Sequence, residues 1–220
     1  MKKQVVVLLM LCFPLSFIAQ EKINQFNSNG ERHGTWKKTF ENGNIRYAGT
    51  FQNGKEVGEF KYYSENNSKY PIIVRKFQPN GISEIYFYSE NGVPESKGLM
   101  KGKLRIAKWI YFAKDGKTLL SEENYSEGKL EGDVITYYPN RKPTEVYPYK
   151  HGQIHGIMKR YSNEGIVLDE VVYENGKRNG LAKYYNTKGQ LLYSGMYKND
   201  LKVGNWEYTE IGNRDKTSNQ

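Results

Sequence analysis

The chain has 220 residues, a formal charge of +9 and a mean hydropathy of −0.80, with 37% hydrophobic and 14% aromatic residues. Nineteen Tyr argue against a disordered chain, and the shortage of Leu and Ala excludes a helical bundle. A single cysteine, Cys12, leaves no disulfide framework.

The N-terminus reads first. Lys2 and Lys3 precede an uncharged stretch from Gln4 to Gln20, with an apolar centre at Val5–Phe13, a break at Pro14 and a small residue at Ala19. This pattern predicts a secretory signal over residues 1–19 and an exported chain. The stretch is short of the ~20 residues that a spanning helix needs. Leu11 is too large for a lipobox ahead of Cys12. Cleavage would remove the only thiol and two lysines. The remaining excess of positive charge lies in the front half: 17 Lys+Arg against 10 Asp+Glu in residues 21–120, and 14 against 14 in residues 121–220.

A 24-residue period organises the rest. The kernel is aromatic-x-x-Gly-x-x-x-Gly-x-apolar. The clearest matching pair is Asn44–Phe60 and Gln190–Trp206, and the kernel recurs as Tyr125…Gly128…Gly132…Val134, Tyr149…Gly152…Gly156…Met158 and Tyr173…Gly176…Gly180…Ala182. The second glycines are Gly34, Gly58, Gly132, Gly156, Gly180 and Gly204. Between Gly58 and Gly132 the period weakens. Gly102–Trp109 forms one faded copy, with Ala107 in the place of the second glycine, and Phe77–Gly81 begins a fainter one.

Each unit reads as a hairpin. Runs such as Val134-Ile-Thr-Tyr-Tyr138 suit strands, and the Asn-Gly and Asp-Gly pairs between them are strong turn signals. The second glycine opens the next strand, where either a neighbouring ring lies on bare backbone or the chain needs positive φ. No sustained 3.6-residue apolar period follows the leader, so little helix is expected. The expected fold is all-β: an elongated, single-layer antiparallel meander of about eight 24-residue hairpins, sixteen strands of about six residues, over residues 20–211, then a polar tail at 212–220. Its stability is expected from stacked rings. Phe51, Tyr125, Tyr149, Tyr173 and Tyr197 share one register; Trp36, Phe60, Met158 and Trp206 share another.

The kernel Tyr-x-Asn-Gly-Lys-x-x-Gly-x-Trp/Phe, repeated in phase from about residue 26 to 209, resembles the MORN repeat. It is most similar to the bacterial variant whose members are often labelled antitoxin components. The resemblance implies a β-hairpin array used as an interaction surface, with protein or phospholipid partners, and it supplies no catalytic residues. Asp200 departs from the pattern, standing where Gly is usual.

The chemical inventory is thin. His33 and His155 occupy a position that also accepts Val, Glu and Asn, as a solvated turn would. His151 and His155 lack a third ligand in a recognisable spacing, so no metal is expected. The adjacent carboxylates Glu122/Glu123 and Asp169/Glu170 should point to opposite faces of their strands and cannot act together. Gly116-Lys117-Thr118 resembles the end of a phosphate loop but no helix follows. No cofactor, nucleic acid or turnover is expected.

Two sets of residues remain as binding candidates. Lys97, Lys101, Lys103, Arg105 and Lys108 form a basic cluster without an acid, beside Trp109 and Tyr111, in the unit where the repeat falters. Trp36, Phe60, Tyr62, Trp109 and Trp206 either hold the sheet or line a groove. The expectation is a non-enzymatic scaffold for a protein partner. Anionic lipid, an envelope glycan or a toxin to be neutralised are the alternatives.

Overall fold

The computed structural model describes residues 22–212. The expected leader with Cys12, and the tail beyond Gly212, lie outside the described residues.

The chain builds one open antiparallel sheet that is not closed into a barrel. A short β1 (Gln25–Phe26) runs against β2 (Arg32–Thr39), followed by β3 (Ile45–Gln52) and β4 (Lys55–Tyr62). The faded region supplies β5 (Ile73–Phe77), β6 (Ile82–Tyr88), β7 (Pro94–Lys101) and β8 (Leu104–Phe112). Then come β9 (Leu119–Ser126), β10 (Lys129–Leu130), β11 (Gly132–Tyr137), β12 (Pro143–Lys150), β13 (Gln153–Ile154) and β14 (Gly156–Tyr161). The array ends with β15 (Val167–Glu174), β16 (Lys177–Tyr185), β17 (Leu191–Lys198) and β18 (Leu201–Tyr208). Each strand pairs with its sequence neighbours, as a meander requires. Two pairs, β10/β11 and β13/β14, are single legs interrupted at Glu131 and His155 just before a second glycine. Bridging them turns eighteen strands into the sixteen expected. Most legs have eight residues rather than six. The described helix is one terminal turn at residues 210–212.

The second glycines all take positive φ, from 63° at Gly204 to 128° at Gly180. Ala107 copies them with φ 54°, which confirms its place in the faded unit. The expectation of rings on bare backbone belongs to a different column. The rings of Phe60, Trp109 and Trp206 lie against Gly49, Gly98 and Gly195 on the preceding strand, where a Cβ would collide with them. These three glycines have no positive φ, so close approach alone requires them.

One cross-strand row contains this contact throughout. It passes through Trp36, Gly49, Phe60, Arg75, Ile85, Gly98, Trp109 and Glu123. It continues through Val134, Tyr147, Met158, Val171, Ala182, Gly195 and Trp206. Most of the buried core sits on it: Phe60 at 0% exposure, Trp109 at 1%, with Ile85, Met158, Val171 and Ala182. A single sheet has no second layer, so this row is sheltered by the rings of its two flanking rows on the same face. One flank carries Phe51, Phe77, Tyr125, Tyr149, Tyr173 and Tyr197, and edge-to-face contacts join it to the central row. Examples are Phe51–Phe60 at 5.1 Å, Trp109–Tyr125 at 6.2 Å and Tyr197–Trp206 at 5.2 Å. The two ring registers expected from sequence are these neighbouring rows.

Candidate binding surface

The other flank of this ring face is a stripe that solvent reaches. It crosses all legs of the sheet from Lys38 through Tyr47, Tyr62, Phe87 and Tyr111 to Tyr184, Tyr193 and Tyr208. None of its residues is buried. Its ends are aromatic. Tyr184, Tyr193 and Tyr208 stack in sequence, with centroids 4.6 and 5.3 Å apart. Its middle is polar, passing Ser121, Thr136, Glu145, Arg160 and Asp169, where Arg160 holds Asp169 through two hydrogen bonds of 2.6 and 2.9 Å. Burial is the leading cause that pushes Tyr62, Tyr111 and Tyr184 well above the ordinary tyrosine range.

A polar knot replaces the apolar row at Glu123. Its carboxylate accepts the hydroxyls of Tyr111 (2.7 Å) and Tyr125 (2.6 Å). Arg105 donates to the same two hydroxyls at 2.8 and 3.0 Å and lies 4.3 Å over the Trp109 ring. Arg105 therefore belongs to the ring face. The basic cluster expected from sequence is divided. Lys97 and Lys108 occupy the opposite face, where Lys108 pairs with Glu122 at 2.8 Å and both line a shallow depression of about 280 Å³ with Glu84, Tyr86 and Ile110. Lys101 and Lys103 flank the Gly102 turn. Of the candidate aromatics, Phe60 and Trp109 are buried in the central row, whereas Trp36, Tyr62 and Trp206 are only partly covered. The adjacent carboxylates divide between the faces, Asp169 facing Arg160 and Glu170 facing Lys159 at 3.2 Å. All three histidines are exposed.

Sequence reasoning missed one column. Arg32, Arg105, Arg178 and Lys202 each stand two residues before the second-glycine position, and each lies over a ring of the face: Phe51 at 4.0 Å, Trp109 at 4.3 Å, Tyr197 at 4.3 Å and Trp206 at 4.1 Å. The signal was available, because this position is basic in four units. The carbonyl of the same position binds the next turn. Gly54, Gly128, Gly152, Gly176 and Asp200 donate their N–H to the carbonyls of Arg32, Arg105, Leu130, Ile154 and Arg178, at 2.8–3.0 Å. Among the described residues no turn N–H bonds the Glu56 carbonyl, and there a cleft of about 500 Å³ opens between the turns at Gln52–Gly58 and Phe77–Gly81.

A ladder of turn-to-strand bonds repeating at the spacing of the glycine kernel marks units of one kind. The MORN repeat variant family matches at residues 32–53 and 178–199, near the two ends of the array. The chain carries MORN repeats. No curated protein matches it. MORN repeats form a non-catalytic repeat family whose general role is binding proteins or membrane lipids. Each matched stretch begins at the basic column residue, includes the second glycine and ends one residue before the turn N–H, Gly54 or Asp200, that binds the carbonyl of that basic residue.

Proposed function

We propose that this MORN protein is an exported, non-enzymatic scaffold that holds a protein partner along the tyrosine stripe of its ring face. One observation carries the reading. The stripe runs unbroken across the sheet, stays accessible to solvent, and joins aromatic ends to a middle of hydroxyls, carboxylates and a guanidinium. Such a long, shallow, semi-polar track suits the extended edge of a protein better than a small molecule, which needs a concave pocket. Tyrosines offer area and a hydrogen bond with little loss of rotamer freedom. Export is supported by the charge and hydropathy pattern of residues 1–19.

The test uses site-specific photo-crosslinking in cells. Crosslinkers placed at Tyr193 or Tyr47 should yield an adduct with one protein, and a crosslinker at Lys183 on the opposite face should not. Adducts from Lys183 alone would overturn the reading. Sequencing the N-terminus of the cellular protein checks export, since an intact Met1 contradicts it. A toxin is one class of partner that the same adduct would reveal.

The excess charge of the front half supports a second reading, binding to an anionic membrane or glycan through Lys97, Lys101 and Lys103. Co-sedimentation with anionic vesicles that falls with salt and is lost on changing these lysines to Glu would favour it.

A further inference from the structure

The turn-to-strand ladder breaks at Glu56, and the sequence shows why. The turn at Phe51-Gln52-Asn53-Gly54 is tight: Gln52 pairs with Lys55, and the Gly54 N–H donates across to the Arg32 carbonyl at 2.9 Å. The next turn on this edge reads Phe77-Gln78-Pro79-Asn80-Gly81, the same residues with Pro79 inserted. The insertion widens it. Gln78 donates its N–H to the Ile82 carbonyl at 2.9 Å, and the Gly81 N–H is spent on the Gln78 carbonyl at 3.1 Å, inside its own turn. Pro79 has no N–H to offer. Glu56 stands where Arg32 stands one unit earlier, and its carbonyl receives no turn N–H among the described residues. The cleft of about 500 Å³ lies at this gap. Its two lips carry exposed side-chain amides, Gln52 on one and Gln78 on the other, and Val57, Phe77 and Pro79 supply apolar wall. Its charges cancel: Lys55 is the cation, and the Glu56 carboxylate, which accepts the Tyr62 hydroxyl at 3.0 Å, is the anion. A Cβ on Gly58 or Gly81 would meet no atom within 4 Å, so the backbone there borders open space.

We propose that this cleft binds a neutral acetamido sugar, an N-acetylhexosamine unit of a glycan, whose amide N–H supplies the rung that the widened turn cannot. The chemistry of the lining selects this class. A backbone carbonyl calls for a donor, and the secondary amide of an acetamido group presents one as a turn does. The methyl group beside that amide suits the apolar wall of Val57, Phe77 and Pro79. The amides of Gln52 and Gln78 each donate and accept, which matches the double character of sugar hydroxyls. One cation balanced by one carboxylate gives no net attraction for a phosphate or another anion, so the ligand is neutral. The volume falls within the roughly 300–1,000 Å³ of small-molecule sites. The site lies at the turn edge of the sheet and stands independently of the tyrosine stripe.

The experiment is an NMR titration of the purified chain with chitotriose, the trimer of N-acetylglucosamine, and with cellotriose, which has the same linkage but hydroxyls in place of the acetamido groups. The expected result is saturable binding of chitotriose that shifts the Gly58 and Gly81 amide signals, with a dissociation constant at least about tenfold below that of cellotriose. Deleting Pro79 restores Phe-Gln-Asn-Gly, lets the turn reach the Glu56 carbonyl itself and should abolish binding. Gln52→Ala/Gln78→Ala changes only exposed side chains, so it tests the site even if the deletion disturbs the fold, and it should weaken binding at least about tenfold. Matching melting temperatures verify that each variant is folded. No saturable binding of chitotriose, or equal affinity for the two sugars, would overturn the proposal. So would binding that shifts neither glycine, or that persists unchanged in the double variant or in a folded deletion variant. A blocked alanine tripeptide that binds as tightly as chitotriose would also overturn it and assign the cleft to a peptide.

Discussion

Two kinds of unit solve one packing problem in opposite ways. In three of them a glycine faces a large ring: Gly49 under Phe60, Gly98 under Trp109, Gly195 under Trp206. In the regular units between Glu131 and Tyr185 the bulk moves to the other strand. Val171 stands opposite Ala182, and Tyr147 takes the place opposite Met158. The first kind leaves one strand bare, and the second puts a side chain on both. A single layer has no opposing sheet to fill a gap, so each cross-strand pair must fill its own. The difference teaches that the row can be filled from either strand, which is why the kernel looks imperfect when read one column at a time.

The most severe way to break this comparison is to put bulk on both strands. Gly98→Val should destabilise by more than about 3 kcal/mol, because Trp109 is held at 1% exposure and has nowhere to move. Loss of a cooperative melting transition is the expected readout. The same column in the other kind of unit should fail in the opposite sense. Val171→Gly leaves a cavity beside Ala182, at a cost of about 2 kcal/mol. Adding Ala182→Phe to that variant reproduces the glycine–ring arrangement and should recover at least half of the loss. Chemical denaturation of the four members of this double-mutant cycle measures the coupling. If the second change makes matters worse, the two strands do not fill the row interchangeably.

Much of this was legible in the sequence. The 24-residue period, the hairpins, the meander and both ring registers follow from Tyr, Gly and Asn-Gly spacing, because each is a local property repeated in phase. The identity of the ring-bearing glycines was not legible. Gly49, Gly98 and Gly195 meet rings from the neighbouring strand, and that contact depends on how two legs align around the extra residues at each second glycine. The basic cluster misled for a related reason. Five cations within twelve residues look like one patch, but alternation along β7 and β8 sends Arg105 to one face and Lys97 and Lys108 to the other. Glu123 was readable only as half of an acidic pair, since its partners Tyr111 and Arg105 come from the preceding leg.

The polar knot at Glu123 marks a third way of filling the central row, and pH should separate it from the apolar pairs. Burial first, then hydrogen bonds to Glu123, push Tyr111 and Tyr125 upward. In the unfolded chain these phenols ionise near the usual value of about 10. Their contribution is therefore complete below about pH 10 and is lost as the pH rises toward the folded values. An ultraviolet titration should show exposed tyrosines ionising first, with a late step that coincides with unfolding. Tyr111→Phe removes one donor to the carboxylate and should cost about 1 kcal/mol at neutral pH. A late step that survives in Tyr111→Phe/Tyr125→Phe would assign it to other tyrosines.

The mildest change should be a gain. Ala107 holds φ 54° at the position where six other units have glycine. An L-residue there pays roughly 1 kcal/mol for the contact between its Cβ and the carbonyl. Ala107→Gly relieves that contact but frees the unfolded chain, which returns part of the benefit. The side chain is exposed and leaves no cavity when removed. A net stabilisation of about 0.5 kcal/mol is expected, read as a small rise in the denaturation midpoint with an unchanged slope. A loss instead would mean that the faded unit has adapted to alanine. Ala107 would then hold the adjoining strand against Tyr125, its partner in register, better than a bare glycine can.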